Sequence, residues 1–160
     1  MSETKGATSA PAAKPVARVT TTWQGEHRFD SGRPGGATLR LDGTGATGQS
    51  PVDAILSALA SCASIDLVDI LAKRRTPVER LSIEVEGERA TGTPRRLVGI
   101  KLTFTVDGAG IDPLHAERAI DLSLNKYCSV RDSLARDIPI TWTRVLNGAP
   151  IAPGEARTEL

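Results

Sequence analysis

Apolar residues recur along this chain with two different periods, and a change of period marks a change of secondary structure. Val19, Thr21 and Trp23 share one side of an extended segment that continues toward Phe29. A Gly/Pro turn over residues 31–36 separates it from a second strand carrying Leu39 and Leu41, and the two are expected to pair antiparallel. Residues 43–48 are too rich in glycine for regular structure and are expected to form a flexible connection.

The strongest local signal comes next. Ser50 can cap a helix, Pro51 suits its first position, and Asp53 can answer the cap. No Gly or Pro then intervenes before Pro77, and the basic run Lys73-Arg74-Arg75 suits the negative end of the helix dipole. At 1.5 Å per residue the helix would be roughly 33 Å long. Ile55, Leu56, Leu59, Cys62 and Ala63 lie at helical spacing, while Ala54, Ala58 and Ala60 fill the other sides. A helix apolar nearly all round is expected to be central and buried.

Two strands succeed the helix. Leu81, Ile83 and Val85 alternate with polar residues, as do Ile100, Leu102, Phe104 and Val106, so each has one dry and one wet face. Asp112-Pro113 opens a second helix running to about Tyr127, Ser129 caps a short one to about Arg136, and Ile138, Ile140 and Trp142 make a last strand. Trp23 and Trp142 are both expected in or beside the core. The order ββ-α-ββ-α-α-β, with strands in sequential pairs, predicts an α+β fold with an antiparallel sheet. Residues 17–147 form the domain. Residues 1–16 and 148–160, rich in Pro, Ala, Gly, Ser and Thr, are expected to be a disordered N-terminal tail and a flexible C-terminal tail.

Composition narrows the class. The chain has 160 residues, 39% hydrophobic and 24% charged, as an ordinary globular protein does; aromatics are only 3%, so the core must be aliphatic. A net charge of +1 offers no electrostatic argument for nucleic acid or an anionic membrane. No uncharged apolar run reaches the roughly 18 residues of a membrane span, and no basic stretch followed by an apolar one marks a signal peptide, so no membrane partner is expected. The expected compartment is the cytoplasm, where thiols stay reduced.

Two cysteines then need an explanation. Cys62 lies mid-helix, beyond the first turn where the dipole acts, and an isolated cysteine there is commonly a small core residue. Cys128 sits near a helix C-terminus, but Ser129 starts another helix whose backbone amides are available to a sulfur. If the fold joins the two thiols, thiol peroxidase chemistry becomes natural: one attacks an O–O bond and becomes a sulfenic acid, the other condenses with it.

The stretch SPVDAILSALASCASIDLVDIL resembles the central-helix motif of the OsmC/Ohr superfamily, a Pro-initiated helix with its cysteine eleven residues after the proline. RAIDLSLNKYCSV resembles the second cysteine motif, most closely that of the YhfA-like branch, in which Cys-Ser replaces the Cys-Pro of the peroxidases. The resemblance covers about residues 17–146. It implies an intertwined homodimer with strands wrapped around long central helices, and a peroxidase of organic hydroperoxides reduced by a dithiol partner such as a lipoylated protein. It implies Cys62 as the peroxidatic and Cys128 as the resolving cysteine, with an arginine on the early strands and an acid beside the helix-start proline positioning the thiolate. Arg28 is the best match for the arginine, with Arg33 and Arg40 also placed there. The residue after Pro51 is Val52, where the hydroperoxide-resistance branch has glutamate; Asp53 is the nearest acid and equally a helix cap. Tyr127, beside Cys128, and Leu59, one turn before Cys62, are candidates to line a substrate pocket.

Other constellations carry less. His27 and His115 lack the spacing of a zinc site, so no metal or other cofactor is expected. GTGATG has neither G-x-G-x-x-G nor a G-K-[ST] ending and is not a phosphate cradle. A reading from another class stays open: a non-catalytic or redox-sensing member that binds a small apolar ligand in the same pocket.

Overall fold

A computed structural model describes residues 14–155. Two compact units divide between Ser50 and Pro51.

The first unit is an antiparallel meander of β1 (Thr20–Trp23), β2 (Arg28–Gly32) and β3 (Thr38–Asp42). The extended segment expected from Val19 to Phe29 is broken into two strands. Gly25 (φ 90°) and Glu26 (φ 51°) take the left-handed region, and Gln24 N–H donates to the Arg28 carbonyl at 2.9 Å, closing a hairpin. Trp23, expected near the core, is 65% exposed; its indole N–H donates to the Glu26 carbonyl at 2.9 Å, so it serves the turn. At Gly32 a Cβ would lie 2.3 Å from the Ala37 carbonyl oxygen, so only glycine fits this corner. The loop after β3 is a built structure rather than a flexible connection. Buried Asp42 accepts from Thr44 N–H (2.8 Å) and hydroxyl (2.7 Å) with one oxygen, and from Thr47 N–H (3.0 Å) and hydroxyl (2.7 Å) with the other. Those four donors hold its carboxyl well below the usual carboxylate range.

The second unit begins with α1 (Pro51–Lys73), as the capping pattern predicts. Leu59, Ala63, Leu67 and Leu71, four residues apart, form a stripe with no exposure. Burial does not extend all round the helix, however: Ile55 (40%), Ile65 (65%) and Val68 (39%) remain open. By length and composition α1 passes as a membrane span, with mean hydropathy 1.8 over an 18-residue window, a property that the core helix of a soluble protein shares. It ends where Arg75 takes a positive φ (62°) and Thr76 N–H returns to the Leu71 carbonyl at 3.2 Å.

The sheet is ordered β4 (Arg80–Arg89), β5 (Leu97–Asp107), β6 (Ile140–Leu146), β7 (Ala149–Glu155). The α+β class holds, but the sheet is mixed: β4–β5 and β6–β7 are antiparallel, whereas β5–β6 is parallel. The helical connection between β5 and β6 carries the chain back to the starting end, as a parallel pair requires. Ala149–Glu155, expected within the C-terminal tail, pairs with β6 instead. Pro150 is tolerated because β7 is an edge strand. The expected tail residues 1–13 and 156–160 lie outside the described residues.

Ile100, Leu102, Phe104 and Val106 of β5 and Ile140, Trp142 and Leu146 of β6 are buried in the core together with the α1 stripe, with Phe104 edge-on to Trp142 at 6.4 Å. Gly87 lets β4 approach closely: a Cβ there would lie 2.7 Å from Leu97 and 2.9 Å from Leu56. Arg144 continues the inward phase of β6 and is 4% exposed; its Nη2 donates to Glu117 Oε2 at 2.8 Å and its guanidinium sits 5.7 Å from the Trp142 ring centre.

Candidate active site

The connection from β5 to β6 delivers the second cysteine. α2 (Pro113–Leu122) is capped by Asp112, whose side chain accepts from Leu114 N–H (2.9 Å) and His115 N–H (3.2 Å). Its last turn widens into a π-helical turn, Ser123–Tyr127, closed by Cys128 N–H to the Ser123 carbonyl at 2.8 Å. Such a turn inserts an extra residue and re-aims the chain beyond it. Cys128 then leaves helical geometry (φ −71°, ψ 98°) and α3 (Ser129–Ser133) begins. Cys128 is therefore the N-cap of α3, and its Sγ accepts from Arg131 N–H at 3.3 Å.

Cys62 projects from the middle of α1, half-buried between Leu59 and Ala63, toward the start of α3. There its acidity is set by Val130 N–H, the Cys128 thiol, and the hydroxyl and N–H of Ser129. The fold thus brings the two thiols close enough for each to shift the other's acidity, and both are reduced. Burial pushes the Cys62 thiol up, but those four hydrogen bonds outweigh it, and the net direction is down. Cys128 moves the other way. Burial first, and its role as donor to Cys62, push it up to about 11 despite the Arg131 amide. One sulfur is biased toward thiolate, its neighbour toward a retained proton.

The remaining candidates are not gathered at this pair within the second unit. Asp53 lies in the first turn of α1 and lines a cleft of about 290 Å³ with Leu56, Ser57, Ala60, Ile83 and Val85. It precedes Cys62 by nine residues, which is about 13.5 Å of rise and roughly half a turn of rotation, so it faces away from Cys62 of its own chain. Leu59 has no exposure and packs in the core, leaving it no surface to line an open pocket in this conformation. Tyr127, on the π turn, is 49% exposed and stacks under Lys126 at 5.4 Å. In the first unit, Arg28 pairs with Glu26 at 3.3 Å and Arg40 with Asp30 across the strand pair. Among the described residues no three His, Cys, Asp or Glu side chains converge as a metal site would need. The sequence placed useful amides at Ser129 but gave no sign that they serve Cys62, on another helix.

Known proteins resemble this chain. Residues 43–143 match the model of the family described as OsmC-like protein. The chain belongs to the OsmC-like family. It is 36% identical to Protein YhfA of Escherichia coli K12 over 107 residues, which are 66% of this chain and 80% of YhfA. Among solved structures, the OsmC-like protein from Mycoplasma pneumoniae matches with a TM-score of 0.72 at 18% identity, covering 84% of this chain and 99% of that one. The organic hydroperoxide resistance protein OhrB of Bacillus subtilis matches with a TM-score of 0.56 at 14% identity, covering 81% and 98%. These two likenesses concern the fold.

Proposed function

We propose that this OsmC-like protein is a two-cysteine thiol peroxidase of organic hydroperoxides, serving oxidative stress defence in the cytoplasm. What supports the reading is the pair itself: Cys62 and Cys128 near enough to shift each other's acidity, and displaced in opposite directions. The Cys62 thiolate attacks one peroxide oxygen, the O–O bond breaks, and the alkoxide leaves and takes up a proton. The products are an alcohol and a Cys62 sulfenic acid. Cys128 then attacks the sulfenic sulfur, an S–S bond forms and water leaves. An external dithiol, of the kind a lipoylated protein carries, reduces the bridge by exchange and becomes a disulfide itself. No metal or organic cofactor enters these steps.

A homodimer belongs to the same proposal. Ile55, Ile65 and Val68 leave an apolar face on α1 that a second copy would cover, and a second copy is the natural source of any charged side chain that Cys62 does not meet on its own helix. The test is intact mass with a free-thiol count, on reduced protein before and after one equivalent of cumene hydroperoxide. Loss of two thiols and about 2 Da, abolished by Cys62→Ser, is expected. Survival of both thiols, while a standard thiol peroxidase reacts in parallel, overturns the reading and directs attention to binding of small apolar ligands.

A further inference from the structure

Strands β6 and β7 are joined by Asn147 and Gly148, between the paired Leu146 and Ala149. Both joining residues take positive φ, 49° and 79°, as a two-residue hairpin turn of the Asn-Gly kind requires. The Asn147 side chain is bound at both of its polar atoms. Its Oδ1 accepts from Gly108 N–H at 3.0 Å and its Nδ2 donates to the Gly108 carbonyl at 3.3 Å, while the Asn147 N–H goes to the Val106 carbonyl at 3.0 Å. An amide clasp thus fastens the turn to the end of β5. Asn147 and Gly148 are exposed to water and line a cleft of about 540 Å³ whose other walls include Glu79, Arg80 and Asp107.

Asn-Gly is also the dipeptide whose own backbone most readily attacks its side chain. Glycine has no Cβ to shield the amide nitrogen that follows the asparagine, and a Cβ built at Gly148 would meet nothing within 4 Å. The chain's other asparagine, Asn125, lies in the π turn, is followed by Lys126 and donates to Asp121.

We propose that Asn147 is a site of spontaneous covalent modification, deamidation to isoaspartate and aspartate, which the clasp on Gly108 slows and whose product unfastens the β6–β7 hairpin from the end of β5. The Gly148 nitrogen gives up its proton to water and attacks Asn147 Cγ. An N–Cγ bond forms, the Cγ–Nδ2 bond breaks, and Nδ2 leaves as ammonia. Water then opens the cyclic imide at either carbonyl, giving aspartate, or isoaspartate with the main chain routed through Cγ. Ring closure needs the Gly148 nitrogen to swing against Cγ, which a left-handed Asn147 with its side-chain amide held at both atoms does not permit. The reaction therefore waits for the hairpin to open locally. Afterwards the side chain has no N–H for the Gly108 carbonyl. Its new carboxylate joins those of Glu79 and Asp107 in a cleft where Arg80 is already paired with Asp107 at 3.2 Å. Isoaspartate also lengthens the backbone of a turn whose Leu146↔Ala149 register leaves room for two residues. Strand β7 is the edge of the sheet, so among the described residues it has no second neighbouring strand to hold it when the turn loosens.

The experiment ages the full chain and a synthetic peptide of residues 145–157 side by side at pH 8, read by tryptic mass and an isoaspartate-selective assay. Residues 145–157 form one tryptic peptide whose sole side-chain amide is Asn147. That peptide is expected to gain about 1 Da in both samples, at least about tenfold more slowly in the folded chain, with the difference lost in denaturing urea. Both the aged chain and Asn147→Asp are expected to exchange the β7 amides for deuterium faster than fresh wild type. A folded chain that converts as fast as the peptide, or not at all after about a hundred of the peptide's half-times, overturns the proposal. So does an aged, converted chain whose β7 amides exchange no faster than those of the fresh protein.

Discussion

The sharpest consequence of the site is a difference in reactivity between its two thiols. Cys128 is pushed up to about 11, so at pH 8 its thiolate fraction is on the order of 0.001. Cys62 is held below the ordinary 9.0, so at the same pH its fraction is at least about 0.1. The ratio of thiolates is therefore at least about a hundredfold. A more basic thiolate is intrinsically more nucleophilic, with a Brønsted slope of about 0.4–0.5, which returns roughly sixfold to tenfold to Cys128. At least about tenfold survives in favour of Cys62, before counting access, and Cys128 is only 3% exposed. The assay is brief labelling at pH 8 with less than one equivalent of iodoacetamide, and then tryptic mapping. The cysteines separate cleanly: Cys128 falls in Tyr127–Arg131 and Cys62 in Leu41–Lys73. Raising the pH toward 11 should narrow the contrast, as Cys128 ionises while Cys62 is already thiolate. Equal labelling, or preference for Cys128, would refute the assignment of roles and with it the order of the peroxidase steps.

Two further predictions concern the scaffold. Glu117→Ala leaves Arg144 buried without its partner and should cost about 2–4 kcal/mol by urea unfolding, below the full range for a buried pair because Glu117 is 47% exposed; adding Arg144→Met should recover most of it, and a double variant no better than the single one would show that the charge is not the cause. Asp42, depressed below the ordinary carboxylate value, contributes stability that is complete above that value and lost as pH falls through the depressed one, so Asp42→Asn should lower stability at pH 7 and weaken its decline toward acid, measured by urea melts from pH 7 to 3; parallel pH dependences in the two proteins would contradict this.

Much of this was legible along the chain. Pro51 and the absence of any breaker until Pro77 set the bounds of α1, and strict alternation set β4 and β5. The two cysteine motifs pointed to the pair before any contact was visible. What escaped was decided by neighbours distant in sequence or by single backbone angles. Gly25 and Glu26 break the first strand through positive φ, which residue type only permits. The parallel pairing of β6 depends on which way a connection of two helices returns. Strand β7 runs through Pro150, because an edge strand does not need that amide. The π turn has no compositional signature in SLNKY, yet it is what directs Cys128 inward. Asp53, taken as the acid beside the helix-start proline, lies in the first turn of α1 and on the side away from Cys62 of its own chain.

The sulfur of Cys128 caps α3 through the Arg131 amide and, in the proposed reaction, also resolves Cys62. A group with both duties cannot change its bonding without informing the helix it caps. Formation of a bridge would make that sulfur a poorer acceptor and loosen the first turn of a helix only five residues long, preceded by a turn already wound wider than an α-helix. The oxidation state of the pair would thus be displayed at the protein surface as the local order of residues 123–133, where a reductant could distinguish the spent form from the ready one by shape as well as by sulfur chemistry.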